Sequence, residues 1–215
     1  MPGDDGEGTG GGSSLLSARL LVASARMGDP NFERGVILVL DHSYEGALGI
    51  VLNRPTGLGV EEVLGPWHDQ ALQAPPGVVF SGGPVSRDAV IGLARSPVAG
   101  AETGRAGTVA PAVGSEAHRS GRWRPVLGQL GTVDLSVPPE DQPLPLAGAR
   151  LYSGYAGWST GQLEEEIAEG AWYVTEAIAQ DVFCVQPERL WHDVLKRQGG
   201  ELAVLAAFPP HPSVN

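Results

Sequence analysis

One cysteine, Cys184, stands in the 215-residue sequence. That excludes an intramolecular disulfide framework and any multi-cysteine zinc site. Histidine is sparse as well: His42, His68, His118, His192 and His211 stand singly, without the i, i+4 or His-Glu-x-x-His spacing that turns two rings toward one metal. Asp41, His42 and Glu45 could converge, but two or three ligands do not close a site, so no metal is expected. Phosphate loops of the Walker and dinucleotide types are missing, and no cofactor is expected. Basic residues are few, 14 against 25 acidic, and the net charge of −11 makes the whole repel phosphate backbones and anionic membrane surfaces. Direct DNA binding is disfavoured on this ground. The longest early apolar run, Leu15 to Ala25, is broken by Arg19 and lacks a basic leader, which argues against a signal peptide or membrane span and for a cytoplasmic protein.

What is abundant is turn chemistry. With 31 Gly and 18 Pro, but also 42% hydrophobic residues, the chain reads as globular with many turns and short elements. A body of this size buries roughly 70% of its unfolded surface. Residues 1–14, rich in Gly and acid, are expected to be a disordered tail, and 211–215 a frayed one. Between them, 15–210 is read as a single domain. Residues 96–124, locally basic through Arg105, Arg119, Arg122 and Arg124 and without a period, are read as a long mobile loop.

The most informative stretch is 29–55. Val36 to Leu40 has no polar alternation, so as a strand it must be covered on both faces. Ser43 to Gly46 forms the connection and Ala47 to Leu52 the return strand of an antiparallel hairpin. Asp29-Pro30 reads as a cap and first position of one short helical turn. Further on, helices are expected over 60–64, stopped by Gly65-Pro66, after Ser159 through a capping box with Gln162, and from Pro187. Strands are expected near 77–80, 89–94, 126–127, 132–135, 149–155, 171–174 and 181–184. A final apolar segment, 202–208, closes the chain. This order lacks β-α-β alternation and predicts an α+β fold, with a bent, mostly antiparallel, partly barrel-like sheet and helices packed outside.

Asp29-Pro30-Asn31-Phe32, Glu45-Gly46-Ala47-Leu48-Gly49, Asn53-Arg54-Pro55, Gly82-Gly83-Pro84 and Gly154-x-x-Gly157-Trp158-x-x-Gly161-Gln162-Leu163-x-x-Glu166-Ile167 occur in this order. As an ordered set they resemble the YqgE/AlgH family of bacterial proteins. The resemblance implies an α+β fold, a cytosolic setting and no agreed biochemical activity, although members are often labelled transcriptional regulators.

Hairpin geometry gathers Asp29, Asn31, Arg34, Asn53 and Arg54 at one end. Asp29 and Arg54 can pair there while Asn31 and Asn53 satisfy turn backbone. The alternative is a groove in which Arg54 and the amides of Gly82 and Gly83 bind an anionic group or a peptide. Trp158, Gln162 and Glu166 complete the candidate binding set, with Trp158 and Trp172 read mainly as packing anchors and the Glu164-Glu165-Glu166 run as a solvated helix face. Ser81, Ser153 and Cys184 are poor nucleophile candidates: Ser153 lacks the glycine of a nucleophile elbow, and Cys184 sits in an apolar run. The reading is a non-enzymatic regulatory or scaffold module binding a protein or a small anionic ligand. A hydrolase or transferase using the hairpin-base cluster is the alternative, and a transcriptional regulator contacting DNA is a third, less favoured reading.

Overall fold

A computed structural model describes residues 16–98 and 122–207. The tails expected at 1–14 and 211–215, and residues 99–121 of the loop expected over 96–124, lie outside the described residues. The strands are β1 (Arg19–Ala23), β2 (Val36–Ser43), β3 (Gly46–Val51), β4 (Pro55–Gly59), β5 (Val78–Ser81), β6 (Val85–Arg95), β7 (Trp123–Leu127), β8 (Leu130–Val133), β9 (Ala149–Ser159) and β10 (Trp172–Glu176). The helices are α1 (Val60–Leu64), α2 (His68–Leu72), α3 (Gln162–Ala168), α4 (Ala179–Val182), α5 (Leu190–Gln198) and α6 (Gly200–Ala206).

The strands form one curled sheet in the order β10-β1-β2-β3-β9-β6-β8-β7, with β5 joining β9 and β4 joining β5. Every pairing is antiparallel except β5 with β9. The fold is the expected α+β arrangement, with a half-barrel sheet.

The hairpin of β2 and β3 is covered on both sides, as its unbroken apolar run requires. Val36, Leu38, Leu40, Ile50 and Leu52 point to a core shared with Leu190, Trp191, Val194 and Leu195, all on α5. Ile37, Val39 and Val51 point the other way, to Trp158, Leu163 and Trp172. Such double coverage removes roughly 1.5–3 kcal/mol worth of apolar surface per large side chain from water, so this hairpin anchors the rest.

Three local expectations change. Residues 181–184 are not a strand: the chain turns into α4, where the Asp181 carboxylate accepts the Ile178 N–H at 2.8 Å and fixes the helix start. As expected, α1 ends at Leu64, with Gly65 as its C-cap. Pro66 opens a 3-10 turn over Gly65–Trp67 that leads into α2, a position where its missing N–H is no loss. The third helix starts at Gln162 after Gly161 takes a left-handed φ of 77°, and Ser159 contributes only its N–H and hydroxyl, both donated to Gln162 Oε1 at 3.1 Å. Finally, 29–35 is a pair of i to i+3 turns, Asp29 O to Phe32 N and Phe32 O to Gly35 N, without a helix. No helix among the described residues is long and apolar enough to cross a membrane.

Candidate functional site

β9 is longer than any one neighbour on its edge, and this creates a fork. Its residues 156–159 pair with β3, whereas 151–153 pair with β5. Between the two neighbours, Gly82 N–H donates to Ser153 O at 2.7 Å and Gly82 O accepts from Val51 N–H at 2.8 Å, so the backbone threads the gap. Only glycine fits there, because a Cβ on Gly82 would overlap the Gly154 carbonyl and one on Gly83 the Tyr155 carbonyl.

A cavity of about 220 Å³ opens at this fork. Val51 and Arg54 line it from the end of β3, Ser81, Gly83 and Pro84 from the crossing after β5, and Pro30 and Asn31 from the turn. Arg87 comes from an outward excursion of β6, between Val85 and Val90, where the register with β9 shifts and Ser86 takes a φ of 47°. Ser153 Oγ donates to the Arg87 carbonyl and seats that excursion. Two arginines and no acidic residue are therefore among the residues that line the cavity.

Arg54 is half-buried. It donates to the carbonyls of Glu33 and Asn53, the latter at 3.4 Å, and none of the ion pairs among the described residues includes it. Burial lowers its pKa from the ordinary guanidinium value, an effect the Glu33 charge opposes. The charge of Arg54 has lost hydration without gaining a carboxylate within 4.0 Å.

The structure separates the remaining sequence candidates into three roles. Asp29 does not pair with Arg54; its Oδ1 accepts the Asn31 N–H at 2.8 Å and the Asn31 side chain at 2.9 Å. Asn53 is buried and structural, accepting Val36 N–H at 3.0 Å and donating to Arg34 O at 2.9 Å. Gly82 spends its amide on Ser153, which leaves Gly83 as the glycine on the cavity wall.

Trp158, Gln162 and Glu166 form a second cluster. Glu166 Oε2 accepts both indole N–H groups, from Trp158 at 2.9 Å and from Trp172 at 2.7 Å, while its Oε1 accepts Gln162 Nε2 at 3.0 Å. Glu164 meets buried His42 at 2.7 Å. The acidic run is thus not simply a solvated face, since two of its three members hold side chains from the sheet. Phe32 packs on both tryptophans, with ring centroids 6.4 and 5.6 Å away, so the turn that walls the cavity rests on this cluster.

Ser153 and Cys184 are not arranged as nucleophiles. The Ser153 hydroxyl is committed to Arg87 O, and burial pushes the Cys184 thiol up, against the lowering influence of Arg150. Among the described residues no group of three or more His, Cys, Asp or Glu side chains could hold a metal ion. Sequence reasoning missed Arg87 and Ser81 as cavity residues; the signal it could have used is the Ser-Arg-Asp break inside an otherwise apolar strand.

A family model described as AlgH-like matches residues 20–203. The chain belongs to the AlgH-like family. Among AlgH-like relatives, a UPF0301 protein of Streptomyces coelicolor is 49% identical over 202 residues, covering 94% of this chain and 96% of the relative. A UPF0301 protein of Mycobacterium tuberculosis is 39% identical over 195 residues, covering 91% and 88%. The AlgH-like sheet recurs in the crystal structure of protein DIP2367 from Corynebacterium diphtheriae, with a TM-score of 0.73, 29% identity and coverage of 90% and 92%. The solution structure of the AlgH protein from Pseudomonas aeruginosa matches with a TM-score of 0.57 at 26% identity, covering 99% of this chain and 100% of that one.

Proposed function

We propose that this AlgH-like protein is a binding module whose cavity at the strand fork captures an anionic group of its partner through Arg54. The observation that carries the reading is a half-buried guanidinium on a cavity wall, supported by backbone carbonyls and faced by no lining carboxylate. An anion entering the cavity replaces the hydration that Arg54 has lost, and charge-assisted bonds to it are stronger than neutral ones. Val51, Pro30 and Pro84 add apolar contacts to a wall that is otherwise polar. The regulatory or scaffold role and the cytoplasmic setting expected from the sequence belong to this same proposal.

The test is a titration of ¹⁵N-labelled protein with acetate and with inorganic phosphate, following the amides of Asn31, Ser81 and Gly83. Wild type shows saturable shifts with at least one of the two. Folded Arg54→Ala, with Arg54→Lys as the milder companion, does not. An Arg54→Ala spectrum that is native and responds like wild type overturns the reading.

A further inference from the structure

Arg54 and Arg87 both line the cavity, and two guanidiniums together exceed what a monocarboxylate needs. A single carboxylate has one charge and two oxygens, which one guanidinium fork satisfies. The second arginine is not there by accident of an unstructured loop. Arg87 reaches the cavity because β6 leaves register with β9 between Val85 and Val90, with Ser86 at a φ of 47°. Ser153 Oγ holds its carbonyl, and Gly154, at a φ of 72°, lies so close to the carbonyls of Gly83 and Val85 that no Cβ fits. None of the ion pairs among the described residues includes Arg87.

From this arrangement, and resting on the reading of Arg54 above, we infer that the cavity is a phosphomonoester site, with Arg54 and Arg87 dividing the terminal oxygens and Ser81 supplying a hydroxyl. A phosphomonoester carries a charge of about −1.5 to −2 at neutral pH and three terminal acceptor oxygens, matching two guanidiniums and a further donor. Volume narrows the ligand. The 220 Å³ available lies below the roughly 300–1,000 Å³ of pockets that enclose drug-sized ligands. A phosphate and a few attached atoms fit; a nucleotide buried whole does not. The exposed Pro30 and Pro84 give the wall enough apolar surface for a short aliphatic stem. Such a group is found on a small phosphorylated metabolite or on a phosphorylated protein side chain, and the chemistry at the arginines is common to both. Ser153 is a positioning residue here, acting through the backbone of Arg87.

The experiment is calorimetry on the full chain with glycerol 3-phosphate, a capped phosphoserine peptide and isobutyrate. Both phosphate sources, or one of them, bind, and isobutyrate binds at least about tenfold more weakly. Binding by glycerol 3-phosphate alone assigns the free metabolite, and binding by the peptide alone assigns the protein side chain. Affinity falls by about tenfold or more in Arg87→Ala and less in Ser153→Ala. It also falls as pH drops through about 6, where the phosphate takes up its second proton. Isobutyrate binding as tightly as the phosphates, with Arg54→Ala weakening it and Arg87→Ala indifferent, overturns the phosphate assignment and leaves the Arg54 reading standing. Absence of any Arg54-dependent binding to all three probes overturns both.

Discussion

Trp158 and Trp172 share one hydrogen-bond acceptor: both indole N–H groups point to Oε2 of Glu166, from 2.9 and 2.7 Å. Both rings are nearly buried, and they meet edge to face with centroids 6.1 Å apart. Truncating the acceptor strands two buried donors at once. Glu166→Ala is expected to cost about 2–4 kcal/mol, since bonds to a charged group contribute roughly 1.5–3 kcal/mol and an orphaned donor retains its desolvation cost. Glu166→Gln keeps an oxygen and should cost about 1 kcal/mol. Urea unfolding with an unchanged slope measures both. Because Phe32 packs on these rings and Pro30 and Asn31 wall the cavity, the Ala variant should also shift the amide resonance of Asn31.

Glycine substitutions should divide sharply by place. Gly83 has a φ of 154° and its Cβ direction is filled by the Tyr155 backbone, which cannot yield without breaking the sheet. Gly161 has a φ of 77° and open space around it. Gly161→Ala therefore costs only the left-handed penalty of about 1–2 kcal/mol. Gly83→Ala adds an overlap with backbone and should cost more than about 3 kcal/mol or abolish folding. Soluble yield and thermal midpoints of the two variants separate them, and equal losses would refute the threading of the fork.

The legible part of this fold is the part dictated by patterns within one segment. Val36 to Leu40 announces double coverage by lacking alternation, and a hairpin necessarily brings Asn31 and Arg54 to one end. The illegible part depends on partners distant in sequence. Arg87 enters the cavity because β6 bulges against Gly154, 67 residues later, and the local Ser-Arg-Asp break marks an interruption without naming that partner. The periodicity around Glu166 places it near the apolar side of α3 but cannot say that two indoles await it. Asp181 was misread for a different reason. Val182-Phe183-Cys184 favours a strand by propensity, yet the carboxylate of Asp181 caps Ile178 and also accepts Arg197 at 2.6 and 3.0 Å, and that tertiary pair decides the local conformation.

Neighbouring residues at the end of β3 should behave oppositely. Asn53 bridges Val36 N–H and Arg34 O beneath the surface, so Asn53→Ala leaves a buried donor unpaired and should cost about 2–3 kcal/mol. Asn53→Asp should be worse, because its second oxygen faces the Arg34 carbonyl. Arg54 holds two carbonyls at a partly exposed position, and Arg54→Ala should cost about 1 kcal/mol. Chemical denaturation of the three variants checks the order; an Arg54→Ala loss as large as that of Asn53→Ala would make Arg54 a structural strut.

Alkali should loosen the fold through one small buried group. Arg150, almost wholly buried, donates to the Ala74, Pro75 and Cys184 carbonyls and lies over the Phe80 ring at 4.8 Å. Around it, burial raises the pKa of both Cys184 and Tyr152, with the Arg150 charge opposing the rise in each case. Each of these groups keeps its proton in the folded chain at a pH where the unfolded chain has released it. Their contribution is thus fully present below the unfolded values of about 8.5 for cysteine and about 10 for tyrosine, and is lost as pH rises toward the folded ones. Stability measured by urea unfolding should hold between pH 7 and 8 and decline from about 8.5 upward. Cys184→Ala should flatten the first part of that decline and leave the part above about 10, which belongs to Tyr152. A decline that begins below pH 8, or one that Cys184→Ala does not alter, would place the alkaline sensitivity elsewhere in the molecule.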